Sequence, residues 1–371
     1  MAGENSISNN QHGISNIQLM KKGKMVLYLM TASTVIMLAG NAAFSDGVQT
    51  GFIYHEEMLK HDTGLAHPER KERLAAIEKQ LKETGLLSSL ISVKVTPAPL
   101  NWILLAHSQE YVAEVEKSCW EGKSFLYSKD TPVSADSYAA ARLAAGGVLC
   151  AVDAVMDGEV KNAFCAVRPP GHHALKNKAM GFCIFNNVAI GARYVQAKHK
   201  LKKVLIVDFD VHHGNGTQAI FNDDPDVLYF SIHRSPFYPG TGGADDNGAG
   251  RGYGLKVNVP VPAGAGDKEY IKAFEEILKP LALAFNPDFI FISAGFDAHQ
   301  DDPLGGMKVT AEGYAAITRV VMDISEKCCN GRIVSVLEGG YSLHGLAESA
   351  EKHIQVLKRT SPVTPKDRES E

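Results

Sequence analysis

Asp208, Asp210 and His212 stand at alternate positions at the end of the apolar run Val204-Leu205-Ile206-Val207. Such a run reads as a buried strand, in which alternate side chains share one face. Carboxylate and imidazole are metal ligands, and the carboxyl end of a parallel strand is where open α/β sheets build their sites. A metal-centred site is therefore the first expectation. Asp210 and His212 supply two ligands, and Asp297, after the run from Phe289 to Phe296, is the best third. Zinc with an open coordination position suits two carboxylates and an imidazole, and it lowers the pKa of bound water toward about 7.

Further groups could act beside such an ion. Arg168-Pro169-Pro170-Gly171-His172-His173 delivers two adjacent imidazoles on a stiff turn. Taken alone, the pair reads equally as proton carriers, as metal ligands or as surface residues of a turn. Gly339-Gly340-Tyr341 sets a phenol on a permissive backbone, either as a donor to a developing oxyanion or as a tyrosine packed at a helix start. Gly181-Phe182 and Phe237-Tyr238-Pro239-Gly240 supply aromatic rings for the walls of a channel, although aromatic residues are more often core. Asp297-Ala298-His299-Gln300-Asp301 looks like a two-manganese motif of arginases, but no second carboxylate-rich strand complements it.

The elements that must position these groups are legible as eight apolar runs, near 50–54, 91–95, 163–167, 204–208, 227–232, 255–259, 288–293 and 332–337. Helix-patterned stretches at 69–83, 109–117, 134–157, 185–199, 267–285 and 311–328 separate most of them. The alternation predicts one α/β domain, at 47–359, with an eight-stranded parallel sheet covered by helices on both faces. The chemically capable groups all follow strand runs, so they fall on one rim of that sheet. Residues 360–371 read as a frayed tail.

Composition narrows the function. The 371 residues are 45% hydrophobic and 22% charged, enough to bury a sizeable core. A net charge of −4 carries no polyanion-binding signature, so nucleic acid is not an expected ligand. None of the six cysteines forms a C-x-x-C pair, which argues against a cysteine zinc site. At the amino end, Lys21, Lys22 and Lys24 precede an uncharged stretch from Met25 to Ser45 with small residues at Gly40, Ala42 and Ala43. That pattern predicts a secretory signal peptide within residues 1–46 and hence export, with a membrane anchor or a cytoplasmic chain as the alternatives.

At these residues the chain resembles the histone deacetylase and acetylpolyamine amidohydrolase superfamily, and within it the bacterial class II-like amidohydrolases. The likeness runs from Gly51 to about Glu348. It is carried by His67-Pro68-Glu69-Arg70, Arg168 to His173, Gly181 to Asn187, Asp208 to Gly216 and Tyr238 to Gly242. Ala294 to Asp297, Asp302 to Gly306 and Glu338 to Tyr341 complete the set. The resemblance implies zinc on Asp210, His212 and Asp297, with His173 as general base and then acid. It implies His172 as the electrostatic partner of His173, Asp208 orienting His172, Asn215 behind His173, and Tyr341 polarising the amide carbonyl.

Phe182 and Tyr238 would flank an acyl-lysine stem. A structural potassium ion is implied near Asp208 and Ser231, with main-chain oxygens of Asp210, His212 and Ile232. A second would use carbonyls around Phe221, Asp224, Val227 and Leu255. Leu304 stands where polyamine-preferring members tend to carry glutamate, which favours acyl-lysine peptides as substrate. The expected function is a zinc-dependent amidohydrolase of N-acetyl-lysine or short N-acyl-lysine. An acetylpolyamine or other small-amide deacylase, and a non-catalytic binding module for acylated ligands, are the alternatives; a homo-oligomer is compatible with the sequence.

Overall fold

The structure is a computed structural model and describes residues 49–358. The expected leader within 1–46 and the tail at 360–371 lie outside the described residues. In chain order the elements begin β1 (Thr50–Ile53), α1 (Glu72–Glu83), β2 (Ile91–Ser92), α2 (Leu100–Ile103), α3 (Gln109–Trp120) and α4 (Ser137–Met156). There follow β3 (Asn162–Cys165), α5 (Asn187–Lys198), β4 (Val204–Asp208), α6 (Asn215–Phe221), β5 (Val227–Arg234) and β6 (Lys256–Val261). The chain ends with α7 (Asp267–Ala273), α8 (Lys279–Phe285), β7 (Phe289–Ala294), α9 (Ala311–Cys328), β8 (Ile333–Leu337) and α10 (Leu343–Lys358).

All eight expected strands form, in one parallel sheet of order β2-β1-β3-β8-β7-β4-β5-β6. β4, β7 and β8 are buried along their whole length, as their continuous apolar sequences require of strands covered on both faces. β1 to β3 lie to one side, β4 to β6 open the other, and β7 and β8 fill the middle. In register, Asp208 is level with Ser293 of β7, and Ser293 with Val336 of β8. Three strand ends thus finish level at the crevice where the winding reverses, which is where such sheets bind ligands.

Local chemistry sets several helix starts. Asn186 accepts from the Ala189 amide at 3.0 Å to begin α5, and Thr310 accepts from Gly313 at 3.0 Å to begin α9. The stretch expected as one helix over 267–285 is α7 and α8 joined by a π-helical turn, Phe274–Leu278. α2, α6 and α10 were not expected from the sequence. All six cysteines are free.

Candidate active site

β4 stops at Asp208, so strand alternation does not aim Asp210 and His212. Their directions come from two successive turns in which a carboxylate takes the backbone amide two residues on. The Asp210 amide donates to Asp208 Oδ1 at 3.2 Å, and the His212 amide to Asp210 Oδ1 at 2.9 Å. The expected three-residue face therefore divides. Asp208 turns to His172, whose Nδ1 lies 3.1 Å from Oδ2, and it also accepts from the Tyr229 hydroxyl at 3.0 Å.

Asp210, His212 and Asp297 converge, with one ligand atom from each within 4.8 Å of the others. Asp210 Oδ2 accepts the Gly339 amide at 2.8 Å, and Asp297 Oδ1 accepts the Val211 amide at 2.9 Å. A Cβ on Gly339 would sit 2.2 Å from Asp297 Oδ2, so only glycine lets this backbone come so close. Asp297 Oδ2 itself is buried without a hydrogen-bond donor, 3.2 Å from His212 Nδ1.

Burial and the facing Asp210 push Asp297 up to about 7. Burial alone would lower His212, yet Asp210 and Asp297 outweigh it and lift its pKa to about 9. Two crowded carboxylates, an orphaned oxygen and an imidazole compete for protons here, and a divalent cation answers all three demands. The residues fit zinc by donor type, oxygen with nitrogen.

The imidazoles of His172 and His173 lie with ring centroids 4.0 Å apart, their planes tilted by 45°. Glu338, just past β8, holds their turn by accepting the Gly171 and His172 amides at 2.7 and 3.1 Å. Burial opposes charge on His172, but Asp210 and Asp208 hold its pKa well above the usual histidine value. Burial together with His172 and His212 holds His173 well below it. His173 Nδ1 lies 2.8 Å from Asn215 Oδ1. An amide oxygen accepts only, so Nδ1 carries the proton and Nε2 keeps a free lone pair.

Aromatic rings wall the approach. Phe237 stacks on His212 at 5.1 Å, Tyr238 meets His173 edge-on at 5.1 Å, and Phe182 meets Tyr341 edge-on at 5.8 Å. Gly181 has φ +57°, and a Cβ there would lie 2.3 Å from the His173 ring. Leu304 is partly exposed, and its amide donates to Asp302 Oδ1 at 2.9 Å. Ser231 is level with Asp208 in the sheet, and its hydroxyl is 2.9 Å from His233 Nδ1. Of the carbonyls implied for a second potassium ion, those of Asp224 and Val227 accept hydrogen bonds from the Lys256 ammonium.

Four supports went unassigned in the sequence reading. Asp130 ties two walls by accepting from the Gly181 amide at 3.2 Å and the Tyr238 hydroxyl at 3.3 Å. Asp302 Oδ2 accepts the Tyr341 amide at 2.7 Å, while its Oδ1 holds Leu304 and Gly305. Arg73 donates to the carbonyls of Gly340 and Glu338, and its guanidinium lies 5.2 Å from the centre of the Tyr341 ring. Glu69 binds Arg73 and takes a two-pronged contact from Arg168 at 3.0 and 2.8 Å, all fully buried. Glu69 and Asp302 stand within segments that carry the family resemblance, and Asp302 also precedes Pro-Leu-Gly-Gly in the manner of a turn, whereas Asp130 and Arg73 carry no such signal.

Sheet order and rim residues together define an α/β fold of the arginase/deacetylase-like class. The description "Histone deacetylase domain" matches residues 67–357, and the chain belongs to the histone deacetylase family. A probable deacetylase of Archaeoglobus fulgidus is 44% identical over 298 residues, covering 80% of this chain and 82% of that one. Human polyamine deacetylase HDAC10 is 41% identical over 323 residues, which are 83% of this chain but only 48% of the human protein. The crystal structure of the HDA15 HD domain superposes with a TM-score of 0.81 at 43% identity, covering 85% of this chain and 91% of that one. The protein is a hydrolase acting on acyl amides.

Proposed function

We propose that this hydrolase removes acetyl, or another short acyl group, from the side-chain amine of lysine in a zinc-dependent reaction. The observation that carries this reading is the convergence of Asp210, His212 and Asp297 beside a neutral His173 whose Nε2 is left free by Asn215. Zinc held by those three side chains would act as a Lewis acid, acidifying water and polarising the amide carbonyl.

His173 Nε2 takes the proton from the attacking water and later returns it to the departing amine. His172, kept charged by Asp208 and Asp210, adds positive potential where the carbonyl oxygen becomes an oxyanion. Burial and Asp297 raise the Tyr341 phenol well above its ordinary pKa, so it stays protonated and donates to that oxyanion. Loss of such a donor costs about 3–4 kcal/mol of transition-state stabilisation. Phe182 and Tyr238 hold the methylene stem between aromatic faces. A potassium ion beside Asp208 and Ser231 belongs to the same reading, supported by their level positions on β4 and β5.

The human relative's name makes acetylpolyamine the second substrate class. Apolar Leu304 offers a secondary ammonium no counter-charge, which favours lysine peptides. Turnover of acetyl-lysine peptide and of acetylspermidine by parent, Asp210→Ala, Tyr341→Phe and Leu304→Glu tests both points. The first two variants should lose about 100-fold or more in kcat, and Leu304→Glu should shift kcat/KM toward the polyamine. Undiminished turnover by Asp210→Ala and Tyr341→Phe would defeat the mechanism.

A further inference from the structure

Lys256 opens β6 at the sheet edge, level with Tyr229 of β5, and its side chain is wholly buried. Lysine is seldom buried unless its ammonium is satisfied. Here Nζ donates to the carbonyl oxygens of Asp224 at 3.1 Å and Val227 at 2.8 Å, in the turn from α6 to β5. These are two of the four carbonyls that the family resemblance marks for a second potassium ion. The other two have partners within the chain. Phe221 O accepts the Asp224 amide at 3.0 Å, and Leu255 O accepts the Tyr229 amide at 2.9 Å.

The Asp224 carboxylate is engaged by Arg193, so main-chain oxygens are what hold the ammonium. Gly248 packs on the lysine stem so closely that a Cβ there would lie 2.9 Å from Lys256 Cγ. Burial draws the amine down to about 8, opposed by Asp224 and Asp223, and it keeps its charge at neutral pH.

We infer that Lys256 is a built-in monovalent cation, its ammonium standing in the turn between α6 and β5 where a second, exchangeable potassium ion would otherwise sit. The residues there do not fit that ion: one set of carbonyls cannot hold two like charges a few ångströms apart in a dry interior. This edge of the sheet is thereby held at any potassium concentration, and salt identity acts only near Asp208.

Equilibrium dialysis of the full-length protein against rubidium-86 should count no more than one bound ion per chain. Two ions per chain would overturn the inference. Lys256→Ser frees the carbonyls and should bind one ion more than the parent. Relative to the parent, it should also gain roughly 5 °C in Tm on moving from tetramethylammonium chloride to potassium chloride. Equal ion counts in parent and variant would likewise overturn it. If Lys256→Ser does not fold, the count on the parent decides alone.

Discussion

In the proposed mechanism, Asn215 determines which nitrogen of His173 is free to work. Its side-chain oxygen takes the Nδ1 proton without adding charge, and burial beside two other imidazoles keeps the ring neutral well below its usual pKa. Replacing the amide by a carboxylate changes the charge and little else. Asn215→Asp should raise the His173 pKa, because an adjacent anion favours the imidazolium. A general base works only when neutral, so the acid limb of the kcat/KM profile should move to higher pH by about one unit. A pH–rate series on parent and variant checks this, and coincident acid limbs would show that Asn215 does not tune His173.

Strands were readable because central parallel strands are apolar throughout, and runs such as Phe289-Ile290-Phe291-Ile292 admit no competing pattern. α10 was not expected although Leu346, Ala350, Ile354 and Leu357 recur at helical spacing, since small and charged side chains directly after the Tyr341 turn obscure its start. What fixes it is His353, fully buried, with Thr318 of α9 2.7 Å from Nδ1 and Ser335 of β8 2.8 Å from Nε2. Of the candidate site, it was legible that Asp210, His212 and Asp297 come together and that His172 and His173 lie as a pair. The way they are aimed was not, because Asp208 and Asp210 act through turns whose hydrogen bonds depend on where β4 stops.

His353 also makes α10 pH-sensitive. Burial lowers its pKa to about 3, so below its ordinary value near 6.5 the unfolded chain binds a proton that the folded chain does not. The stability it lends is complete above about pH 6.5 and falls by up to about 1.4 kcal/mol per pH unit toward pH 3. His353→Gln should cost about 1–3 kcal/mol at pH 8, with the gap to the parent closing toward pH 4. Urea midpoints across that range provide the measurement, and a constant gap would refute the assignment.

The molecule as a whole gathers its candidate metal ligands from the ends of β4 and β7, with Asp210 clamped in turn by the Gly339 amide beyond β8. Bringing two carboxylates together in the interior is costly without a cation. Zinc held there, as proposed, would then stabilise the entire sheet by mass action. Exhaustive chelation should lower Tm by roughly 5–10 °C, zinc should restore both Tm and activity, and Asp297→Ala should abolish the difference. An unchanged Tm with full activity after chelation would remove the metal from the account.

Arg73 reaches back from α1 to grip the carbonyls on either side of Gly339 and lies against the Tyr341 ring. The front of the domain is thus a strut for a group with which it shares no chemistry. Trim the polypeptide past that guanidinium, and every ligand, both paired imidazoles and the aromatic walls remain in the sequence. The phenol would then hang from a hinge still tied at Gly339 by Asp210 and at Tyr341 by Asp302, with the Gly340 carbonyl between them released.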